Sequence, residues 1–164
     1  MIQEIIEAIK EKLKAEPRLN EIKTHHIVDG MLPALGPTIS IGCEKIKYAD
    51  KDSDLDEVTA NIRVYVYTKD MAAERGEQKI KYLAKEIRYT LLEDIYLGGL
   101  VGSSTVTDIT HMSDQVNNGS LIHFAMVDYE VTYFESRRRP DNDPLPTVKV
   151  IGGTLNSQQI DIDL

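Results

Sequence analysis

The feature that most constrains this chain is a regular two-residue alternation in residues 57–68. Every second position there is apolar, and the apolar residues are Val58, Ala60, Ile62, Val64 and Val66. Because successive side chains of a β-strand point to opposite faces, the alternation predicts a strand with one face in a hydrophobic core. The chain must then fold around a β-sheet that is covered on at least one side.

A second alternating segment precedes this strand, and an acidic stretch separates the two. In residues 38–48 the alternating apolar positions begin with Ile39, Ile41 and Cys43. Residues 50–57 then hold five acidic side chains and one lysine, a net charge of −4. Two alternating strands on either side of a polar stretch are typical of a β-hairpin, so we predict a long hairpin with an acidic loop at its tip.

Two further segments have the spacing of amphipathic helices. The first ends at Pro17, because the residue before a proline is disfavoured in helical geometry. The second is predicted to start with Asp70 as its cap, to run to about Tyr96, and to stop at Gly98 and Gly99. The apolar stripes are Ile2, Ile5, Ile6, Ile9 and Leu13 in the first helix, and Ile80, Leu83, Ala84, Ile87, Leu91 and Ile95 in the second.

Three more strands complete the predicted sheet. A short one lies within residues 20–28, and a second hairpin joins residues 105–112 to residues 121–134. Ile122, Phe124 and Met126 lie opposite the face that carries Ala125 and Val127, so we expect the first half of this last strand to be covered on both faces. The elements together predict an α+β fold: a mainly antiparallel sheet of four to five strands with two amphipathic helices packed on one side.

The composition changes after residue 136. Residues 1–136 hold all the predicted elements and are expected to form a single α/β domain, in keeping with a total length of 164 residues. Residues 137–164 begin with three arginines, contain three prolines, and are predicted to be a C-terminal extension. Two short apolar runs in it, residues 148–151 and 160–164, are able to add as strands to a partner's sheet; the alternative is a solvated end.

The charge balance excludes several classes of protein. Lys and Arg total 19 against 27 Asp and Glu, a formal charge of −8. Wrapping nucleic acid needs clustered basic side chains, so we predict no sequence-specific nucleic-acid binding. No stretch is apolar for the roughly 18 residues of a membrane span, and Glu4 and Glu7 lie where a signal peptide is basic and then apolar. With its single cysteine, the sequence predicts a protein of a reducing interior with no disulfide and no membrane segment.

The acidic stretch has part of the pattern of a calcium loop. Asp50, Asp52 and Asp54 show the 1, 3, 5 spacing of an EF-hand, but Leu55 and Asn61 occupy the positions that need glycine and a bidentate glutamate. The flanking segments are predicted strands rather than helices. We therefore predict an exposed hairpin tip without bound metal, able to touch a basic partner surface.

The histidines and the cysteine form no clear catalytic set in the sequence. His25 and His26 are adjacent, and adjacent residues of a strand point to opposite faces, which makes a shared metal ion difficult. Cys43 shares the phase of the core-facing residues, so we predict a core position rather than a nucleophile. Further partners for a site would have to come from Asp29, His111 and His123. We predict no enzyme activity, no metal and no cofactor; a small metal-dependent enzyme or binding module is the less favoured alternative.

Charged side chains at the hairpin tip and after the last strand are the best candidates for assembly contacts. The three adjacent arginines are able to bind carboxylates or phosphates with paired hydrogen bonds; alternatively, they are a charged end to the strand. The candidate assembly surface contains Asp50, Asp52, Asp54, Asp56, Glu57, Arg137, Arg138 and Arg139.

The order of these elements resembles a known family. An N-terminal amphipathic helix, the strand of residues 62–68 leading into the helix of residues 70–96, and the closing strand of residues 122–134 (IHFAMVDYEVTYF) are similar to the tail terminator, or tail completion, proteins of bacteriophages and prophages. The lambda minor tail protein U typifies this kind. The resemblance covers about residues 1–136 and rests on the pattern of elements rather than on a short motif.

The resemblance implies a structural protein of the virion tail, assembled in the bacterial cytoplasm. Proteins of this family form a ring, typically of six copies, on the last ring of tail tube subunits; the ring stops polymerisation and provides the surface for the head connector. The expected partners are therefore further copies of the chain, the tail tube protein and head-connector or neck proteins. In such a ring the acids face either a partner or the lumen through which DNA passes. A head-to-tail connector or neck component is the alternative structural role.

Overall fold

The computed structural model describes residues 1–33, 36–70, 72–116 and 120–137. Helix α1 spans Ile2–Ala15 and buries the predicted stripe apart from Ile2, which is partly buried. It ends where the proline predicts, because Glu16 has extended backbone at φ −77° and ψ 117°. A short 3-10 helix, Pro17–Leu19, follows and adds Leu19 to the core.

A long hairpin forms the centre of the sheet. Strand β2 spans Thr38–Asp52, strand β3 spans Leu55–Lys69, and the two pair antiparallel along almost their whole length. The hairpin is confirmed, but the acidic stretch is not the loop that the sequence predicted. The strands continue through it to a turn at residues 53–54, so strand pairing positions most of the acidic side chains.

Helix α2 spans Ala73–Leu92 and follows β3 directly. Asp70 assists its start from two residues before the cap: the carboxylate accepts a hydrogen bond from the Ala72 amide at 2.9 Å. The same carboxylate binds the Arg75 guanidinium, with the shortest N–O distance at 2.7 Å. Two groups of the first turn are thus held by one side chain that precedes the helix.

The end of α2 differs from the prediction. The helix stops at Leu92 rather than at Tyr96, and Ile95, which was expected in the buried stripe, is 38% exposed. The physical reason is Asp94, whose carboxylate accepts hydrogen bonds from the Tyr96 and Gly98 amides. These bonds turn the chain into a second 3-10 helix, Leu97–Gly99, in which both glycines have positive φ.

Three other strands, β1 (Thr24–Ile27), β4 (Ser103–Gln115) and β5 (Leu121–Ser136), complete a five-stranded sheet in the described residues. The strand order is β1-β2-β3-β5-β4. Strand β1 is shorter than predicted and pairs parallel with β2. The pairs β2–β3, β3–β5 and β4–β5 are antiparallel, which confirms a mainly antiparallel α+β fold.

The hydrophobic core lies between one face of the sheet and the two helices. Alternate residues of the sheet point into it, and so do the stripes of α1 and α2. Fully or almost fully buried sheet residues are Ile39, Ile41, Val58, Ala60, Ile62, Val64, Val66, Ala125, Val127, Tyr129, Val131 and Tyr133. Both helices therefore pack on the same side, as predicted, and we call the opposite side the open face.

The open face corrects one prediction. The first half of β5 was expected to be covered on both faces, but Phe124 and Met126 are only partly buried. Their side of the sheet has no helix packed on it in the described residues, and Met112 beside Phe124 is 51% exposed. The described chain thus leaves apolar side chains on this face accessible.

The expected division at residue 136 stays a prediction. Every described helix and strand falls within residues 1–136, and β5 ends at Ser136. Of the expected extension, residues 137–164, only Arg137 lies within the described residues.

Candidate assembly surfaces

The hairpin tip is a compact set of acidic side chains on paired backbone. Asp50 lies opposite Asp56 in the β2–β3 ladder, and Asp52 lies opposite Leu55. Within the turn, the Asp52 carboxylate accepts a hydrogen bond from the Asp54 amide at 3.0 Å. Because the turn is tight and the strands are paired, the tip is a preorganised acidic projection.

Arg137 binds directly to this tip. Its Nε and Nη2 donate to Asp56 Oδ1 at 2.9 and 2.7 Å, and Nη2 also donates to Asp50 Oδ1 at 2.6 Å. Its backbone amide donates to the Asp54 carbonyl at 3.0 Å. The hydrogen bond to Asp56 is the main cause of a raised pKa of the Arg137 guanidinium. Arg137 and the acids of the candidate assembly surface thus lie in one cluster, although they are far apart in the sequence; Arg138 and Arg139 lie outside the described residues.

Acidic groups still dominate at the tip. Residues 50–57 carry a net −4, and Arg137 offsets one of those charges. The Asp50 side chain remains 91% exposed despite its contact with Arg137. The tip is thus a negative projection with a fixed backbone.

The centre of the open face carries a network of charged side chains. Arg63 Nε donates to Asp128 Oδ1 at 2.6 Å, and its Nη2 donates to Asp128 Oδ2 at 3.1 Å. Glu44 lies 3.0 Å from the same guanidinium, and Asn61 donates to Glu130 at 3.5 Å. The paired hydrogen bonds that Arg63 donates to Asp128 are the first cause of the raised pKa of the Arg63 guanidinium. This network ties β2, β3 and β5 together on the side away from the helices.

The sheet has two edges. Among the described residues, β4 pairs with β5 alone and β1 pairs with β2 alone. One row of backbone groups along the 13 residues of β4 therefore has no partner strand in the described part of the chain, and most side chains of this strand are exposed. An open edge of this length is a template for pairing with another strand.

Helix α2 presents a surface that the sequence reasoning missed. Opposite the buried stripe it carries a row of exposed basic and aromatic side chains at helical spacing, which we call the cationic face of α2: Lys81, Tyr82, Lys85, Arg88 and Tyr89. Lys85 Nζ and Arg88 Cζ each lie 5.8 Å from the centre of the Tyr89 ring. The spacing of basic residues at 81, 85 and 88 was the available signal in the sequence, but a pattern of apolar residues does not report it.

The histidines do not assemble into a site. His25 packs beside α1, where burial is the main cause of its lowered pKa, and its Nε2 atom is buried without a hydrogen-bond partner. His111 lies at the other end of the sheet with His123, beside a cavity of about 180 Å³. His123 is buried and bonded through Nδ1 to Ser113 Oγ at 2.8 Å. Within the described ranges, no three His, Cys, Asp or Glu side chains are placed to hold a metal ion.

Cys43 lies in the predicted phase but at the border of the core. It is partly buried and packs against the core cluster, next to an irregularity in the β2–β3 register between Cys43 and Lys45. Burial is the main cause of a raised pKa of its thiol. A raised thiol pKa lowers the thiolate fraction, which is the reverse of what an activated nucleophile needs.

Neither of the two helices is long and apolar enough to cross a membrane, and no other helix occurs in the described part of the chain except the two 3-10 turns.

Comparisons with known proteins show a similar fold but no family. No family model matches the sequence, and no curated protein matches it. A solved chain from the virion of a native gene transfer agent particle has a TM-score of 0.50, is 14% identical, and aligns over 78% of this chain and 93% of its own length. A second solved chain aligns over 85% of this chain and 96% of its own length at 15% identity, but at a TM-score of 0.40 it supports no argument.

Proposed function

We propose that this chain is a structural protein of a phage-like virion, in which it forms a ring at the end of the tail tube. The ring ends tube polymerisation and offers the surface to which the head joins. The observation that carries the proposal is the fold shared with a gene transfer agent virion chain over 93% of that chain's length. The same order of helices and strands underlies the resemblance to tail terminators.

The exposed features of the fold suit a protein that acts through contacts between subunits. In the described residues the sheet has two unpaired edges and an open face on which Phe124, Met126 and Met112 are accessible. The hairpin tip projects a fixed set of charges, and α2 presents a cationic face. These are different surfaces of one molecule, and contacts between unlike surfaces close into rings when the rotation permits.

The proposed role is structural rather than catalytic, and the proposed partners are further copies of the chain, the tail tube protein and the head-connector proteins. The protein is proposed to act in the virion tail after assembly in the bacterial cytoplasm. Ring stoichiometry follows the tube that the ring caps, and six copies is the expectation from the resemblance. DNA would pass through the lumen without sequence-specific contacts.

Binding to purified partners distinguishes this role from that of a neck component. The full chain, immobilised through an added tag, is incubated separately with tail tube protein and with portal-side connector proteins encoded in the same genome. A terminator retains the tube protein and, once bound to it, the connector. Retention of connector proteins alone would assign the chain to the neck, and retention of neither would contradict a role at the head–tail junction.

A further inference from the structure

We propose that the hairpin tip of one copy docks on the cationic face of α2 of the next copy. This inference rests on the proposed ring and deepens it by naming the two surfaces that meet. The tip is formed by residues 50–57 with Arg137, and the cationic face of α2 is formed by Lys81, Tyr82, Lys85, Arg88 and Tyr89.

The cationic face has charges that the described chain leaves without counterions. Arg18, Arg63, Arg75 and Arg137 all make ion pairs, whereas Arg88, the remaining arginine of the described ranges, makes none. Lys81 and Lys85 also lack ion pairs with any described residue; on the same helix, Lys79 binds Glu21 at 3.1 Å. Like charges three and four residues apart on a helix repel one another, so binding of an acidic partner would reduce this repulsion.

Two tyrosines distinguish the cationic face of α2 from an ordinary solvent-exposed row of lysines. Tyr82 is 46% exposed and Tyr89 is 43% exposed, although both are large enough to bury against a partner. Tyrosine and arginine are enriched in the cores of protein interfaces, where they supply contact area at low entropic cost. The Tyr89 ring offers a flat apolar surface with two positive charges close to it, those of Lys85 and Arg88.

The tip has the complementary chemistry. Its acids remain in excess over Arg137, and the tight turn at residues 53–54 fixes their backbone before any contact is made. Lys51, the one basic residue of this segment, has its Nζ 5.5 Å from the centre of the Phe134 ring. A preorganised acidic projection meeting an exposed cationic helix needs little ordering on association.

The two surfaces lie on different parts of the molecule, so the contact must join two copies. The tip lies at the start of β3, and α2 begins at Ala73, after the end of that 15-residue strand. The cationic face points away from the sheet because the buried stripe of the same helix points toward it. A contact between unlike surfaces is heterologous and repeats from copy to copy, which is the geometry that a ring requires.

A charge swap tests the contact in the full-length protein. One variant carries Lys85→Glu and Arg88→Glu, a second carries Asp52→Lys and Asp54→Lys, and a third carries all four changes. Oligomers are measured by native mass spectrometry and by light scattering, with and without tail tube ends. Each two-residue variant should lose ring formation, and the four-residue variant should regain it. A control with the same change in charge, Lys12→Glu with Lys23→Glu, should assemble like the parent.

Cross-linking gives an independent measurement of which surfaces meet. In a Cys43→Ala background, Ser53→Cys at the tip and Lys85→Cys on α2 are combined in one chain and oxidised under assembly conditions. The expected product is a ladder of covalent multimers, and each single cysteine variant should give at most dimers. Circular dichroism of every variant separates loss of contact from loss of fold.

The outcomes separate this inference from the proposed function. Rings that form normally in the two-residue variants, without the cross-linked ladder, would overturn the docking contact and leave the ring intact. A chain that never oligomerises, even on tube ends, would overturn the ring itself. Binding of duplex DNA that Lys85→Glu with Arg88→Glu abolishes would assign the cationic face to nucleic acid instead and would also overturn the inference.

Discussion

Gly76 of α2 lies directly against the imidazole ring of His123 on β5. A Cβ atom at position 76 would come within 2.2 Å of His123 Cδ2 and within 2.3 Å of Nε2. The ring cannot easily move away, because Nδ1 bonds to Ser113 Oγ at 2.8 Å and Nε2 lies 3.3 Å from the Asp70 carbonyl. This contact sets how closely the first turn of α2 approaches the sheet.

Gly76→Ala should therefore destabilise the protein although alanine favours helices. The gain in helix propensity is about 1 kcal/mol, and overpacking against a fixed ring costs about 1–3 kcal/mol. We expect a net loss in the free energy of unfolding, measured by urea denaturation. Glu77→Ala, at an exposed neighbouring position of the same helix, is the control and should change stability little. A more stable Gly76→Ala variant would show that the ring has room to shift.

The open-face pair Arg63–Asp128 should contribute measurably to stability. Both side chains are about one quarter exposed, at 24% and 26%, and they share two hydrogen bonds. A double-mutant cycle with Arg63→Ala and Asp128→Ala should give a coupling energy of about 1 kcal/mol, because the geometry is bidentate but solvent still screens it. The coupling should fall when salt is raised to about 0.5 M. A coupling energy of zero would show that this ion pair adds nothing to the stability of the fold.

The protein should lose stability in acid partly through Asp70. The hydrogen bond from Arg75, and then that from the Ala72 amide, lowers the pKa of this carboxyl to about 2. A depressed pKa in the folded state adds stability that is complete above about pH 4, the pKa range of the unfolded chain, and is lost as the pH falls toward 2. Urea unfolding followed from about pH 5 downward should show a shallower pH dependence for Asp70→Asn than for the parent.

Two variants check the cause assigned to that shift. Arg75→Ala removes the hydrogen bond that contributes most to the lowered pKa of Asp70. The free energy of unfolding of this variant should therefore depend less steeply on pH than that of the parent. Glu4→Gln, on the exposed side of α1, should retain the parent's profile. Identical profiles for the parent and Asp70→Asn would refute the linkage.

Arg137 should order the hairpin tip without being needed for the fold. Arg137→Ala removes the side-chain bonds to Asp50 and Asp56 at the exposed end of the sheet. We expect faster hydrogen exchange of the tip amides and unchanged exchange in the core strands. Lys47→Ala, an exposed change on β2, is the control. Equal exchange in the parent and in Arg137→Ala would mean that strand pairing alone holds the tip.

The spacing of apolar residues was enough to predict the helices and strands of the fold, but not where each one ends or which strands pair with one another. The alternation through Val58 to Val66 and the stripe through Ile5 and Ile9 fixed the core-facing sides correctly, because burial repeats with the geometry of the element. The end of α2 was missed because Asp94 binds the Tyr96 and Gly98 amides, a local contact that no apolar pattern reports. The parallel β1–β2 pairing was missed because strand partners are set by tertiary contacts.

The candidate surfaces were predicted only in part. The run of acids was visible in the sequence, but the binding of Arg137 to Asp56 joins residues 81 positions apart and depends on the β3–β5 register. The cationic face of α2 needed the helix phase before Lys85 and Arg88 could be placed beside Tyr89. A role for Arg138 and Arg139 in assembly stays a prediction, as does the structural rather than enzymatic role of the chain.

Electron microscopy of tail tubes assembled in the presence of the purified chain tests whether this chain caps the tube. Tube protein alone is compared with tube protein plus increasing amounts of the full-length protein, and tube lengths and tube ends are measured. If the chain caps the tube, the tubes will be shorter and will carry a ring of added density at one end that stops further growth when fresh tube protein is supplied. Tubes of unchanged length with bare ends, at concentrations where the chain is folded and in excess, would contradict this role.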